Sequence, residues 1–445
     1  ERRNKAVAYE PHHSIKPFDK LRANGCATGP CRDLIRGGQN PALRYCYPML
    51  SSFFIQTLNG LASASSLFLV AVGLSLIFGV TRIVNFAHGS LYMLGVYVAY
   101  SVATHVGGAL GFWGGVLAAG LAVAVVGLIA ELVILRRIYE APELLQLIAT
   151  FALVLIIKDA ALLIWGPEDL LGPRAPGFSG AVEIFGKAFP TYDVLLIALG
   201  IGMLFALTAL LQKTRFGLLL RAATQDREMT DALGVNQKLL FTAVFALGSF
   251  LAGIGGALQL PREPANLAMD LTIIADVFVV VVVGGLGSLP GAFVAAVIIS
   301  LVKAYCIGAG EVTLSGVEFA FSKLTLVAEF IVMALVLVFK PHGLFGKPIT
   351  HARSAAIVGP LVRPLGPRAL LAAVALVVFM ALLPLLSSAS GDYALVLAID
   401  MMVFALFAAS LGLVIGPGGM GSFGHAAYFG LGAYGAALAV KAGLG

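Results

Sequence analysis

The sequence predicts an all-α, polytopic integral membrane protein with about 11–12 transmembrane or re-entrant helices in two related modules. Composition, long apolar runs and a repeated pattern support this fold class. Hydrophobic residues make up 59% of the chain and charged residues only 12%, whereas a soluble domain has about 25% charged residues. A soluble core of 445 residues would not be so poor in charge.

Apolar runs of about 20 residues can cross a hydrocarbon core about 30 Å thick. Eleven such runs occur, at 53–78, 88–104, 110–135, 144–165, 194–211, 239–260, 271–287, 291–307, 324–339, 369–386 and 393–415. A twelfth, at 422–440, is expected to be incomplete. The second and twelfth runs are rich in glycine and polar at their start, so we expect re-entrant or broken helices there.

One pattern occurs twice at identical spacing, 337 positions apart. Its first copy comprises Gly79, Phe86, His88, Leu94, Gly95 and Tyr97, and its second comprises Gly416, Phe423, His425, Leu431, Gly432 and Tyr434. Internal repetition indicates a duplicated architecture, which in transporters often means two halves around one pathway.

Four segments are expected. They are a basic leader at 1–48, disordered or not native, a first module at 49–346, a cytoplasmic linker at 347–368, and a second, truncated module at 369–445. The leader has nine Lys and Arg residues and no apolar run that could span a bilayer. Alternating the remaining runs places most other Lys and Arg residues on one side, which should be the cytoplasm.

The loop from Thr214 to Leu233 differs from the other loops. Its apolar and charged residues predict a short amphipathic helix that stops at Gly234. Such a helix is either a solvated connector or a docking site that passes the motion of a partner into the membrane. Periodicity alone leaves both interpretations open.

Three motifs carry a family resemblance. The runs LSLIFGVTRIVNFAHGSLYMLGVY at 74–97, RAATQDREMTDALGV at 221–235 and VVVGGLGSLPGA at 281–292 resemble the first permease subunit of branched-chain amino acid ABC importers. The run LGLVIGPGGMGSFGHAAYFGLGAY at 411–434 resembles the early part of the second permease subunit. The chain therefore resembles two permeases fused head to tail.

This resemblance implies a multi-pass protein of the bacterial inner membrane, with a coupling helix that docks on an ATPase. The residues of this segment are Arg221, Thr224, Asp226, Arg227, Glu228, Asp231 and Gly234. The implied partners are two cytoplasmic ATP-binding subunits, an extracytoplasmic substrate-binding protein, a full-length second permease and a small amino acid substrate. The family also implies eight spans in the first module, whereas nine runs are counted there; the sequence leaves this difference open.

The chain is not expected to be an enzyme. It has no phosphate-binding loop of the type G-x4-G-K-[ST], so ATP hydrolysis is expected in separate subunits. No histidine pair has the spacing of metal ligands, so no metal and no cofactor are expected. The positive charges lie in loops and leader, which argues against a nucleic-acid partner.

Two groups of residues are candidates for the transport pathway. The pathway or gating candidates are Asn85, His88, Gly89, Tyr97, Phe423, His425 and Tyr434. The charges expected at membrane depth, where burial is expensive, are Lys158, Asp159, Asp276, Glu329 and Asp400. A proton- or sodium-driven carrier would use such charges, and a urea or short-amide importer would use a similar permease, so both remain alternatives.

Overall fold

The computed structural model describes residues 41–139, 141–184, 186–314, 317–346, 366–386, 392–415 and 424–443. The chain divides into two compact units. The helices of the first unit are α1 (Pro41–Thr81), α2 (Ala87–Val106), α3 (Gly108–Ala130), α4 (Arg136–Ile138), α5 (Glu143–Trp165), α6 (Thr191–Lys213), α7 (Arg215–Gln225), α8 (Arg227–Ala232), α9 (Gln237–Gln259), α10 (Met269–Gly284), α11 (Leu289–Ala309) and α12 (Phe321–Phe339). A π-helical segment, Glu131–Leu135, joins α3 to α4.

The second unit contains α13 (Pro367–Leu386), α14 (Asp392–Ile415) and α15 (His425–Lys441). Besides the helices, the first unit has two small antiparallel hairpins. The first pairs β1 (Ala181–Ile184) with β2 (Lys187–Pro190), and the second pairs β3 (Glu311–Leu314) with β4 (Val317–Ala320). Both hairpins connect long helices, so the all-α fold class is confirmed for the described chain.

All twelve predicted apolar runs form helices. Among the described residues, eight helices are long and apolar enough to cross a membrane, at Ser51–Thr81, Gly108–Ile138, Leu145–Trp165, Thr191–Lys213, Gln237–Gln259, Leu289–Ala309, Phe321–Phe339 and Val396–Ile415. With 16 residues, α10 is about 24 Å long at 1.5 Å per residue, which is shorter than the hydrocarbon core.

The second predicted run, 88–104, lies within one continuous helix, α2, so the expectation of a broken helix there is wrong. The irregular backbone, at residues 82–85, precedes the run. His88 then hydrogen-bonds through Nε2 to the carbonyl oxygen of Val70, 2.9 Å away in the interior of α1. The chain has therefore turned back along α1 before α2 begins.

Contacts between helix ends define two opposite faces of the first unit, which we name outer and inner after the orientation expected from the Lys and Arg residues. On the outer face, Lys187 Nζ donates to Ser52 Oγ at 2.6 Å, and Leu170 forms an antiparallel bridge with Ala265. On the inner face, the backbone N–H of Leu344 donates to the carbonyl oxygen of Val283 at 2.8 Å. These contacts fit a chain in which nine elements run alternately from one face to the other. Residues 82–85 and α2 together are counted as one of the nine.

Close glycine contacts hold the helices of the first unit together. A Cβ atom on Gly95 of α2 would lie 2.5 Å from the carbonyl oxygen of Gly253 in α9. One on Gly73 of α1 would lie 2.6 Å from the carbonyl oxygen of Gly248, also in α9. Small residues allow this approach in membrane helices, where packing replaces the hydrophobic effect as the main driving force.

The single helix predicted over Thr214 to Leu233 is wrong, because two helices, α7 and α8, occupy this segment. Asp226 has an extended backbone between them, and its Oδ1 accepts a hydrogen bond from the backbone N–H of Met229 at 3.0 Å. An aspartate in this position starts a new helix rather than continuing the old one. The predicted glycine stop is confirmed, since Gly234 has φ +81° and follows α8.

The expected segment boundaries coincide only in part with the described structure. Helix α1 begins at Pro41, inside the segment assigned to the leader. Residues 1–40 of that leader and residues 347–365 of the expected linker lie outside the described residues.

Candidate functional site

A cavity of about 510 Å³ lies in the outer half of the first unit. Its walls come from the N-terminal part of α1, the C-terminal part of α11, α2, α10, and the end of α9 with the loop that follows it. The lining residues are Gln56, Asn59, Ser63, Ser66, Leu67, Tyr92, Gln259, Arg262, Glu263, Asn266, Met269, Thr272, Ile273, Asp276, Ser300, Lys303, Ala304 and Ile307. Its volume lies in the range of small-molecule sites.

Charged groups from three helices meet at one wall of this cavity. Lys303 Nζ on α11 lies 2.8 Å from Asp276 Oδ2 on α10 and 2.6 Å from Glu329 Oε2 on α12. The side chains of Lys303 and Asp276 are each 24% exposed, whereas that of Glu329 is 5% exposed. We call these three residues the charge cluster; its lysine joins two of the carboxylates predicted at membrane depth.

A second ion pair lies at the outer end of the cavity. Arg262 Nε is 3.4 Å from Asp193 Oδ1, and Arg262 Nη2 donates to Ser63 Oγ at 3.2 Å. Nearby, Ser66 Oγ donates to Gln259 Oε1 at 2.9 Å. Cationic, anionic and neutral polar groups are therefore all presented to the same space.

Four fully buried residues of α1, α2 and α10 form what we call the buried layer. Val70, His88, Val277 and Val280 each have no accessible surface, and His88 hydrogen-bonds to the carbonyl oxygen of Val70. None of the four lines the cavity.

The pathway candidates of the first copy lie in the packed interior around the start of α2. Asn85 is buried and its Oδ1 accepts a hydrogen bond from the backbone N–H of Ala87 at 3.1 Å. Gly89 lies against the backbone oxygen of Asp270, so the N-terminal ends of α2 and α10 meet there. Tyr97 is buried and stacks on Trp165 with ring centroids 5.1 Å apart. Neither these residues nor His88 line the cavity, and their gating role stays a prediction.

The candidates of the second copy have other surroundings. His425 Nε2 lies 2.7 Å from Ser410 Oγ on α14. Tyr434 is 76% exposed. Phe423 lies outside the described residues.

The remaining predicted charges do not join the charge cluster. Lys158 is half-buried and Asp159 exposed on α5, and neither forms an ion pair with another described residue. Asp400 is exposed on α14 in the second unit. Among the residues that the structure describes, no group of three metal-ligating side chains occurs.

The sequence analysis missed Lys303 and Arg262. Lys303 lies within an apolar run, so the criterion that selected Asp276 and Glu329 could have found it. Arg262 lies in a loop between two helices, and no sequence signal distinguishes it from other loop arginines. Only the fold brings it to the cavity.

The segment α7–α8 lies between α6 and α9. Arg221, Asp226, Asp231 and Gly234 are exposed, and Thr224 Oγ1 donates to the carbonyl oxygen of Arg221 at 2.8 Å. Arg227 and Glu228 belong to α8, and their side chains lie outside the described part of the structure. Four larger apolar side chains are also exposed between α6 and α9: Leu218 at 60% and Leu219 at 37% on α7, Met229 at 60% on α8, and Leu233 at 76% just after α8.

Membrane-spanning helices around a polar cavity, with an exposed helical loop at the inner ends of two helices, define the class of transmembrane permeases. A family model described as the permease component of the branched-chain amino acid transport system matches residues 56–341. The chain therefore belongs to this permease family, which is a family of transport proteins and not of enzymes. Its expected location, as a multi-pass protein of the inner membrane, is confirmed.

Several curated relatives are similar to the chain. The high-affinity branched-chain amino acid transport system permease protein BraD of Pseudomonas aeruginosa is 27% identical, over 68% of this chain and 98% of that protein. LivH of Escherichia coli, with the same description, is 27% identical over 66% of this chain and 96% of LivH. The probable permease protein LivH of Methanocaldococcus jannaschii is 30% identical over 63% and 88%. No solved structure matches the chain.

Proposed function

We propose that this chain is the permease subunit of an ATP-driven importer for branched-chain or related small amino acids. In this proposal α7 and α8 dock on cytoplasmic ATP-binding subunits, and an extracytoplasmic binding protein delivers the amino acid to the outer face. The names of the relatives support the substrate class. The observation that carries the docking role is the exposed apolar surface at Met229 and Leu233, with charged residues around it.

This apolar surface suits a protein partner. Met229 and Leu233 belong to the segment that joins the C-terminal end of α6 to the N-terminal end of α9, on the inner face of the first unit. Exposed apolar side chains rimmed by charged residues are typical of protein–protein contacts. Acidic and basic residues around them, such as Arg221 and Asp231, would complete a polar rim.

A path for motion leads from the docking segment to the cavity. Helix α9 follows α8 after a short connection and packs against α1, α2 and α3 through glycines. Its far end supplies Gln259 to the cavity wall. Displacement of α8 by a partner would therefore move a helix that contacts both the buried layer and the cavity.

Transport then follows alternating access. The amino acid enters the outer cavity, ATP-driven movement of the partners shifts α8 and α9, and the buried layer around Val70 and His88 opens toward the inner face. ATP hydrolysis takes place in the partner subunits. This chain supplies the path and the coupling.

We further propose that the second unit corresponds to the start of a second permease. The repeated motif supports this assignment, because its second copy also joins two helices, α14 and α15. A full-length second permease would then be an additional partner of the first unit.

An ion-driven carrier is the second candidate function. The observation that favours it is the charge cluster, because two carboxylates at membrane depth can bind a proton or a sodium ion. Such a carrier would take up its substrate with an ion gradient and without ATPase subunits.

The test is uptake of labelled leucine into proteoliposomes that contain this chain with candidate ATPase, binding-protein and second-permease subunits. Met229→Asp and Leu233→Asp should each reduce ATP-driven uptake at least tenfold, because a carboxylate would be buried at the docking contact. Leu171→Asp changes an equally exposed leucine of the outer loop and should leave co-purification of the ATPase subunits unchanged.

Co-purification of the ATPase subunits measures docking directly, and it should weaken in the two α8 variants only. Uptake driven by a proton or sodium gradient without ATPase subunits would overturn the proposal and support the ion-driven carrier. Equal loss of ATPase co-purification in the Leu171→Asp control would contradict the docking role of α8.

A further inference from the structure

We propose that the cavity binds the amino acid as a zwitterion, with its ammonium group at Asp276 and its carboxylate group at Arg262. The choice of an amino acid as ligand rests on the proposed function. The placement of its two charged groups rests on the geometry of the cavity. The permease itself would then select for an amino acid, independently of any delivering protein.

The ammonium end of the site follows from the balance of charge in the cluster. With all three groups ionised, one lysine faces two carboxylates, so the cluster has one net negative charge. Among the described residues, no second basic side chain makes an ion pair with Asp276 or Glu329. An uncompensated charge at membrane depth is costly, and an ammonium group from the cavity would supply the missing positive charge.

Access to this cluster comes from the cavity side. Asp276 and Lys303 line the cavity and retain accessible surface there, whereas Glu329 lies behind them. An incoming ammonium group would therefore meet Asp276, and Glu329 would help only by offsetting the positive charge of Lys303.

The carboxylate end of the site follows from the unused donors of Arg262. Its guanidinium has five N–H groups in a planar fork, and the fold uses Nε toward Asp193 and Nη2 toward Ser63. The remaining N–H groups can bind a carboxylate, the anion that matches the geometry of the fork best. Arg262 is also 23% exposed and lines the cavity.

The cavity also offers an apolar surface for the side chain of the ligand. Leu67, Met269 and Ile273 contribute to its walls. Small-molecule sites typically combine such apolar surface with a few polar groups that fix orientation. The ammonium and carboxylate groups of an α-amino acid are bonded to one carbon atom, so both would bind on one side of the ligand while its branched aliphatic side chain lies against these apolar residues.

The experiment is equilibrium binding of labelled leucine to the full chain in lipid nanodiscs. Arg262→Gln and Asp276→Asn should each weaken binding at least tenfold, which is the scale of a charge-assisted hydrogen bond. Arg174→Gln and Glu183→Gln remove matched charges from the exposed outer loop and hairpin, and binding should be unchanged in both.

Two analogues test the two ends separately. Isocaproate lacks the ammonium group and isopentylamine lacks the carboxylate, so each should compete at least tenfold less well than unlabelled leucine. Thr272→Leu fills the cavity from an exposed position without changing a charge, and it should abolish binding. This variant keeps the test decisive if a charge variant fails to fold.

Three outcomes overturn the inference: no leucine binding by the wild-type chain, equal competition by either analogue, or unchanged binding in Thr272→Leu. The proposed function fails on a different measurement, the ATP-driven uptake described above. If ATP-driven uptake is found without binding in the cavity, the importer stands and the zwitterion site does not.

Discussion

The two copies of the repeated motif have the same sequence pattern but different surroundings. Tyr97 of the first copy is fully buried, whereas its counterpart Tyr434 is 76% exposed. Both lie in a helix, Tyr97 in α2 and Tyr434 in α15. The same pattern is therefore helical in both copies, and burial depends on which other helices pack around it.

The two histidines of the repeat have different hydrogen-bond partners, and this accompanies one sequence difference between the copies. His88 pairs with the carbonyl oxygen of Val70 at 2.9 Å, and His425 pairs with the hydroxyl of Ser410 at 2.7 Å. In the repeat, Ser410 corresponds to Gly73. A Cβ atom on Gly73 would lie 2.6 Å from the carbonyl oxygen of Gly248, so α9 leaves no room for a serine there.

The largest difference in the free energy of unfolding is expected between the variants Tyr97→Ala and Tyr434→Ala. Tyr97→Ala removes a buried ring that stacks on Trp165, so the free energy of unfolding should fall by about 4 kcal/mol. Tyr434→Ala removes an exposed ring and should change it by less than about 0.5 kcal/mol. Thermal unfolding in nanodiscs measures both. Equal losses would show that Tyr434 is buried in the assembled protein.

A smaller difference is expected between Gly95→Ala and Gly432→Ala. The new methyl group at Gly95 would lie 2.5 Å from the backbone oxygen of Gly253, and the strain should destabilise the fold by about 3 kcal/mol. At Gly432 a methyl group would meet no described atom within 4 Å, so the substitution should stabilise α15 by up to about 1 kcal/mol.

The folded yield after detergent extraction, together with the unfolding midpoint, distinguishes the two glycine variants. A fully stable Gly95→Ala protein would contradict the close approach of α2 and α9.

The third comparison is between His88→Leu and His425→Leu. Leucine keeps most of the volume and removes the hydrogen bond. At the fully buried His88 the cost should be about 1.5 kcal/mol. At the half-buried His425 it should be about 0.5 kcal/mol, because solvent or lipid headgroups can replace the lost partner. If uptake collapses in His88→Leu while stability is retained, the histidine has the gating role predicted for it.

The smallest effect is expected for Ser410→Gly, which gives the second copy the residue of the first. It removes the hydroxyl partner of His425 and adds a glycine to α14. The combined loss should be about 1 kcal/mol or less. Protection of α14 amides from hydrogen exchange would measure it, with Gly412→Ala on the same helix as a control. A loss above about 2 kcal/mol would indicate packing on α14 by a partner.

Sequence reasoning was sufficient for the helices and insufficient for the cavity. Every predicted apolar run is a helix, because run length alone indicates a span. The docking segment was predicted as one helix, although Asp226 is a residue type that starts helices, so that break could have been found. Asp276 and Glu329 were selected as buried charges, but their joint partner Lys303 was not.

The sequence by itself determined the membrane character, the positions of the long helices and the glycine stop at Gly234. These properties depend on the length, polarity and backbone freedom of neighbouring residues, which are local. The tertiary structure alone decided that Asp276, Lys303 and Glu329 meet, that Arg262 faces the same cavity, and that Tyr97 is buried while Tyr434 is exposed. These properties depend on contacts between residues far apart in the chain, and such contacts exist only once the helices have packed.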